Sequence, residues 1–271
     1  MEKFRAGELE IGNEFFVIAG PCVIETEKSC METAQAVKRS CENAAVPFIF
    51  KSSFLKANRS SVDSYSGPGI EKGLGVLKKI KEELSVPVLT DVHCREQVDR
   101  CADVADILQI PAFLCRQTTL ILRAAATGLP VNVKKGQFLA PGDVINIIRK
   151  IESAGGRKII ITERGACFGY NNLVVDMRGF PIMKEFGYPV VFDSTHSVQL
   201  PGGRGASSGG ERKFVAPLAG AAAAAGCDGL FLEVHPRPDR ALCDGPNTLS
   251  TGEFEDLLFR VKSIVSALGK T

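Results

Sequence analysis

Eight short runs rich in β-branched and aliphatic residues recur about every 25–35 residues, separated by stretches with helical spacing. The runs occupy residues 15–19, 48–52, 86–92, 107–112, 131–135, 159–163, 190–195 and 229–235. Helical spacing bounded by breakers marks, among others, residues 27–42, 69–84, 118–127, 141–154, 212–225 and 251–268. Strand alternating with helix builds βαβ units, because parallel neighbours need a long crossover that a helix supplies compactly. Eight units in 271 residues predict one (β/α)8 TIM barrel domain over residues 1–271, in preference to an open doubly wound sheet. Residues 1–14 form an N-terminal extension, and FRAGELEIGN, turning at Ala6-Gly7, is expected to make a small hairpin capping the barrel bottom.

The polar residues favour the barrel. Each run is apolar and then ends in, or just before, a group that can hydrogen-bond or carry charge. In order these are Cys22, Lys51, Asp91 with His93, Gln109, Lys134 with Lys135, Glu163 with Arg164, Asp193 with His196, and Glu233 with His235. In a barrel such ends converge on the C-terminal mouth, where sites are built.

Composition narrows the function. Lys+Arg number 33 against 31 Asp+Glu, a net charge of +2, and no basic block stands out, so no nucleic-acid surface is expected. Trp is absent and Tyr numbers 3, which removes an aromatic stacking platform. The apolar segments 15–24 and 215–226 fall short of the ~20 residues of a membrane span, so no membrane partner is expected. The charged start MEKFRAGELE lacks the apolar centre of a signal peptide. Nine cysteines without a CxxC pair fit reduced thiols, and the expected location is the cytoplasm.

Two constellations carry chemistry. Lys51, Lys56, Asn58, Arg59, Ser60, Ser61, Arg116, Lys134, Lys135 and Arg164 would gather positive charge at one mouth of a nearly neutral chain, which points to an anionic substrate. Within it, KSSFLKANRSS (51–61) offers cations, an amide and hydroxyls suited to a phosphate, and matches neither a Walker A loop nor GxGxxG. The second set, Cys22, His196, Glu233 and Asp244 with His235 nearby, mixes thiolate, imidazole and carboxylate, as a borderline divalent ion such as Zn, Fe, Mn or Co prefers. A nucleophilic Cys22–His196 pair is the competing chemistry. The Gly/Ser tract 202–210 follows the seventh strand, where a mobile lid over a phosphorylated substrate or a plain flexible loop would sit.

These residues also carry a resemblance. AGPC at 19–22, KSSFLKANRSS, QIPAFLCRQT, VNVKKGQFLAP, TERGACFGYNNLVVDMR, FDSTHSVQLPGG, GLFLEVHP and CDGPN together resemble the 3-deoxy-D-manno-octulosonate 8-phosphate synthase family, from residue 19 to the chain end. The resemblance implies a homotetrameric barrel condensing phosphoenolpyruvate with D-arabinose 5-phosphate and water. It implies catalytic roles for Lys56, Asn58, Asp91, Lys134 and His196. It further implies substrate contacts by Lys51, Lys56, Asn58, Arg59, Ser60, Gln109, Ala112, Lys134 and Arg164, with Arg116 reaching the sugar phosphate of a neighbouring subunit. Cys22, His196, Glu233 and Asp244 fall on the ligands of the metal-dependent members, whose metal-independent relatives carry Asn at the Cys22 position. Leu55 and Cys94 depart from the family pattern of Asp and Glu. The alternatives are a metal-dependent 3-deoxy-D-arabino-heptulosonate 7-phosphate synthase using erythrose 4-phosphate, against which KANRSS argues, and a non-catalytic sensor of sugar phosphate or metal.

Overall fold

The computed structural model describes residues 1–59, 61–202 and 209–269. Eight parallel strands close into a barrel: β1 (Phe16–Gly20), β2 (Phe48–Lys51), β3 (Val88–Asp91), β4 (Ile107–Ile110), β5 (Val131–Lys134), β6 (Ile159–Glu163), β7 (Val190–Asp193) and β8 (Gly229–Glu233). Strand β8 pairs with β7 on one side and with β1 on the other, from Gly229↔Phe16 to Glu233↔Gly20, so the sheet has no free edge. This is the (β/α)8 architecture that the alternation predicts.

Around it lie α1 (Glu27–Ala44), α2 (Ile70–Leu84), α3 (Arg95–Ala102), α4 (Thr118–Ala125), α5 (Val144–Ser153), α6 (Gly179–Lys184), α7 (Val215–Ala224) and α8 (Thr251–Ala267). The short α3 and α6 complete the two units not named from spacing. Helix α1 begins at Thr26, whose hydroxyl accepts from Ser29 N at 3.1 Å, and buries Cys30, Ala34, Val37 and Cys41 at one-face spacing. Helix α8 starts on a Ser250–Glu253 capping box and buries Phe254, Leu257, Leu258, Val261 and Val265. The Ala-rich α7 turns Ala219, Ala222 and Ala223 inward within its own chain.

Strand parity sorts the core. Val17, Ala19, Phe50, Val88, Leu108, Val133, Ile161, Phe192 and Leu232 belong to the shell between strands and helices. Ile18, Ile49, Leu89, Ile107, Ile160, Val191 and Phe231 fill the lumen. The hairpin pairs Phe4–Ala6 with Leu9–Ile11 and inserts Phe4, Ala6 and Ile11 into that lumen cluster, plugging the barrel bottom as expected. Two residues beyond each lumen residue comes another on the same face. Ile49, Leu89, Ile107, Asn132, Val191 and Phe231 thus lead to Lys51, Asp91, Gln109, Lys134, Asp193 and Glu233, one level closer to the mouth.

Gly20 sets the entry to the mouth. Its φ of 155° suits glycine, and a Cβ there would lie 2.1 Å from the Lys51 carbonyl oxygen. The close approach lets Pro21 and Cys22 turn over the end of β2. Lys51 Nζ then donates to the Cys22 carbonyl at 3.1 Å and to Ser53 Oγ at 3.0 Å.

Candidate active site

The mouth holds a cavity of about 440 Å³ over the strand ends, adjoining one of about 590 Å³ toward the β8–α8 loop. Lys51, Lys56, Asn58, Arg59, Asp91, Gln109, Ala112, Lys134, Arg164 and His196 line the first, and Asp244 lines the second. Sequence-predicted residues from six different βα units therefore share one space.

Charges inside it are interlocked. Lys134, buried over the Phe231 ring, is ion-paired with Asp193. Burial pulls the Lys134 ammonium down to about 7 despite that carboxylate. Burial alone would raise Asp193, but the charges of His196 and Lys134 hold it well below the usual carboxylate range. Asp91 follows the same logic. Burial opposes its charge, while a 3.0 Å contact with His93 Nε2 and the nearby Lys51 and Lys56 hold it low. Ser53 Oγ donates to its other oxygen at 2.5 Å. Gln109 is fixed by Asn132 at 2.9 Å, and Asn132 in turn accepts from Thr162 at 2.7 Å.

Parity removes two expected members. Lys135 and Glu163 face away from the lumen and pair with each other at 3.4 Å. Glu163 Oε1 also accepts from the backbone N–H groups of Arg164 and Gly165 at 2.9 and 2.6 Å, which shapes the turn carrying Arg164. Arg164 is itself buried. One of its terminal nitrogens donates to Gln199 at 3.0 Å, while Nη1 has no hydrogen-bond partner among the described residues. A buried guanidinium with an unused donor at a cavity wall is a ready anion contact.

Beside the cationic pocket, the four residues of mixed ligand chemistry come together. Cys22 Sγ lies 3.2 Å from Asp244 Oδ2, His196 Nε2 lies 3.3 Å from Glu233 Oε1 and 3.9 Å from Asp244 Oδ2, and Lys56 Nζ lies 3.9 Å from Glu233. Burial, followed by the neighbouring Cys243 thiol, pushes the Cys22 thiol well above its ordinary value. Glu233 is fully buried, and among the described residues neither carboxylate oxygen accepts a hydrogen bond, with Lys56 Nζ no nearer than 3.9 Å. An ionised carboxylate in that state costs several kcal/mol unless positive charge meets it. The donor set, and a buried carboxylate whose nearest cation stands 3.9 Å away, fit a divalent ion.

Arg116 is exposed on its own chain and lines neither cavity, and Asn58 is exposed at the rim. Ser60 and most of the 202–210 loop, residues 203–208, lie outside the described residues. The base of that loop is a two-residue ladder, Leu200↔Gly209 and Gln199↔Gly210. Three site residues escaped the sequence reading. Gln199 bridges Arg164 and Asp244, donating to the latter at 2.9 Å; Gln137 lines both cavities; and the Cys243 sulfur lies 2.9 Å from that of Cys22. Only Cys243 had a linear signal, its adjacency to Asp244.

Residues 4–268 match the DAHP synthetase I family. The chain belongs to that family. Its curated relatives include three proteins named 2-dehydro-3-deoxyphosphooctonate aldolase. That of Pelobacter propionicus is 58% identical over 248 residues, covering 92% of this chain and 91% of the relative. That of Trichlorobacter lovleyi is 56% identical over 253 residues, 93% of each chain. That of Geotalea uraniireducens is 54% identical over 266 residues, 97% of this chain and 98% of the relative. In this member of the DAHP synthetase I family, the matched region spans the whole barrel and every candidate site residue.

Proposed function

We propose that the chain condenses phosphoenolpyruvate with D-arabinose 5-phosphate and water, giving 3-deoxy-D-manno-octulosonate 8-phosphate and inorganic phosphate. The observation that carries this is the convergence of Lys56, Lys134 and Arg164 from three βα units on one cavity, with Asn58 and Arg59 at its rim. The relatives' shared name supports the five-carbon sugar over erythrose 4-phosphate, as does KANRSS.

Two polyanions must lie side by side, which their mutual repulsion opposes. Lys134 and Arg164 would hold phosphoenolpyruvate, with Gln109 and the backbone at Ala112 fixing its orientation and Lys51 adding positive charge beneath. Lys56 lies between that subsite and the sugar, where Asn58, Arg59 and Ser60 would bind arabinose 5-phosphate. The C3 carbon of the enol phosphate then attacks the aldehyde carbon, whose oxygen takes up a proton; water adds at C2 and gives up a proton, and the C2–O bond breaks to release phosphate. Fixed cations favour this by near-attack positioning and by meeting charge as it forms. Asp91, held ionised, would orient the reacting groups from the floor of the cavity.

Cys22, His196, Glu233 and Asp244 would hold a divalent ion, Zn, Fe, Mn or Co, which when bound supplies orientation and modest polarisation. His196 then serves as a ligand, its other nitrogen 2.8 Å from Asp193. The proposal extends to a cytoplasmic homotetramer in which Arg116 serves a neighbouring subunit's sugar phosphate. The exposed Arg116 and the nearby exposed Phe113 support that placement.

The test is phosphate release from phosphoenolpyruvate with arabinose 5-phosphate or erythrose 4-phosphate, before and after chelation and metal readdition. Turnover with the five-carbon sugar alone, lost on chelation and restored by metal, is expected. Turnover with erythrose 4-phosphate alone would replace the substrate assignment, and binding of both substrates without phosphate release would mark a sensor.

A further inference from the structure

We infer that Cys243 is a further ligand of the divalent ion, so that the site presents two thiolates and selects a thiophilic cation. The inference rests on the reading above that Cys22, His196, Glu233 and Asp244 hold such an ion. Cys243 immediately precedes Asp244 in the β8–α8 loop and is buried. Its sulfur lies 2.9 Å from Cys22 Sγ and 3.3 Å from Asp244 Oδ2. Two triads of donor atoms thus meet at one carboxylate: Cys22, Cys243 and Asp244 on one side, His196, Glu233 and Asp244 on the other.

Arg59 Nη1 donates to the Cys243 sulfur at 2.8 Å, so the sulfur is held at the mouth beside Asp244. A metal-bound thiolate keeps lone pairs for such N–H donors, so the arginine and the ion do not compete. The two sulfurs now sit at hydrogen-bonding separation. Two thiolates on one ion at about 2.3 Å each stand roughly 3.7 Å apart, a spacing that side-chain rotation at Cys243 can supply.

A second thiolate changes which metal the site prefers. Soft sulfur donors favour zinc and cadmium over manganese, whereas one thiolate among oxygen and nitrogen donors discriminates less. Cys243 would thereby set metal identity while Cys22, His196, Glu233 and Asp244 complete the cage.

The experiment is a cobalt(II) titration of chelator-stripped, reduced wild type, Cys22→Ser and Cys243→Ser, reading the thiolate-to-cobalt charge-transfer band in the near ultraviolet. The expected result is a wild-type band about twice as intense as that of either variant. In competition, Cys243→Ser should lose zinc-over-manganese preference by about tenfold or more. A Cys243→Ser spectrum identical to wild type, with Cys22→Ser showing no band, would overturn the inference and leave the metal reading intact. No band in wild type would overturn both. Should Cys243→Ser fold poorly, cadmium NMR of the wild type decides. A shift typical of two sulfur donors supports the second ligand, and one typical of a single sulfur overturns it.

Discussion

Lys134 and Asp193 form an ion pair sealed inside the barrel lumen, and the same aspartate oxygen lies 2.8 Å from His196 Nδ1. One carboxylate thus links the cationic subsite on β5 to the candidate ligand after β7. Removing one partner strands the other charge in a buried setting, at a cost of about 3–5 kcal/mol. We predict that Lys134→Met and Asp193→Leu each lose stability on that scale in urea denaturation. The double variant should recover a large part of it. Simple addition of the two losses would show that the pair is not coupled.

In the proposed site, the depressed Lys134 pKa gives phosphoenolpyruvate binding a pH dependence. The ammonium, with a pKa of about 7, is progressively lost above that pH, and the bound anion raises the lysine pKa. KM for phosphoenolpyruvate is therefore expected to rise between about pH 7.5 and 9, by up to tenfold per unit, with kcat changing less. Calorimetry in buffers of different ionisation enthalpy should register proton uptake on binding over the same range. Binding with no proton uptake there would contradict the role given to Lys134.

Glu233 is a candidate ligand, buried and with neither oxygen accepting a hydrogen bond among the described residues, so a bound cation should stabilise it. Zinc or manganese added to chelator-treated wild type should raise Tm by several degrees, as tight native-state ligands do. Glu233→Gln should abolish that rise and Cys22→Asn should shrink it. An undiminished metal-dependent rise in Glu233→Gln would remove Glu233 from the ligand set.

Arg59 reaches Cys243 and the Leu242 carbonyl across the mouth, at 2.8 and 3.4 Å. As a charge-assisted phosphate contact it is worth about 1.5–3 kcal/mol. Arg59→Ala should raise KM for arabinose 5-phosphate roughly 10- to 150-fold and leave KM for phosphoenolpyruvate within about twofold. Equal losses for both substrates would place Arg59 elsewhere in the reaction.

Gly20→Ala tests the framework. Its Cβ would meet the Lys51 carbonyl at 2.1 Å, so β1 and β2 must separate where Cys22 and Lys51 emerge. A loss of about 2 kcal/mol or more is expected, with weakened metal binding. Wild-type stability would mean that the strand ends adjust freely.

The alternation of eight apolar runs with amphipathic stretches determined the barrel, because parallel strands need helical crossovers and eight such units close a sheet. The sequence likewise placed Lys51, Asp91, Gln109, Lys134, Asp193 and Glu233 at strand ends, and strand periodicity carries these into the lumen. What it could not assign was the face of Lys135 and Glu163, since one residue past or at a strand end parity can be kept or lost in the turn. Tertiary structure set them against each other behind Arg164. It alone brought Gln199 between Arg164 and Asp244, and Cys243 against Cys22 across 221 positions of sequence. Local order follows from the spacing of neighbours along the chain. The site is made of side chains from distant units, and their contacts exist only once the ring of strands has closed.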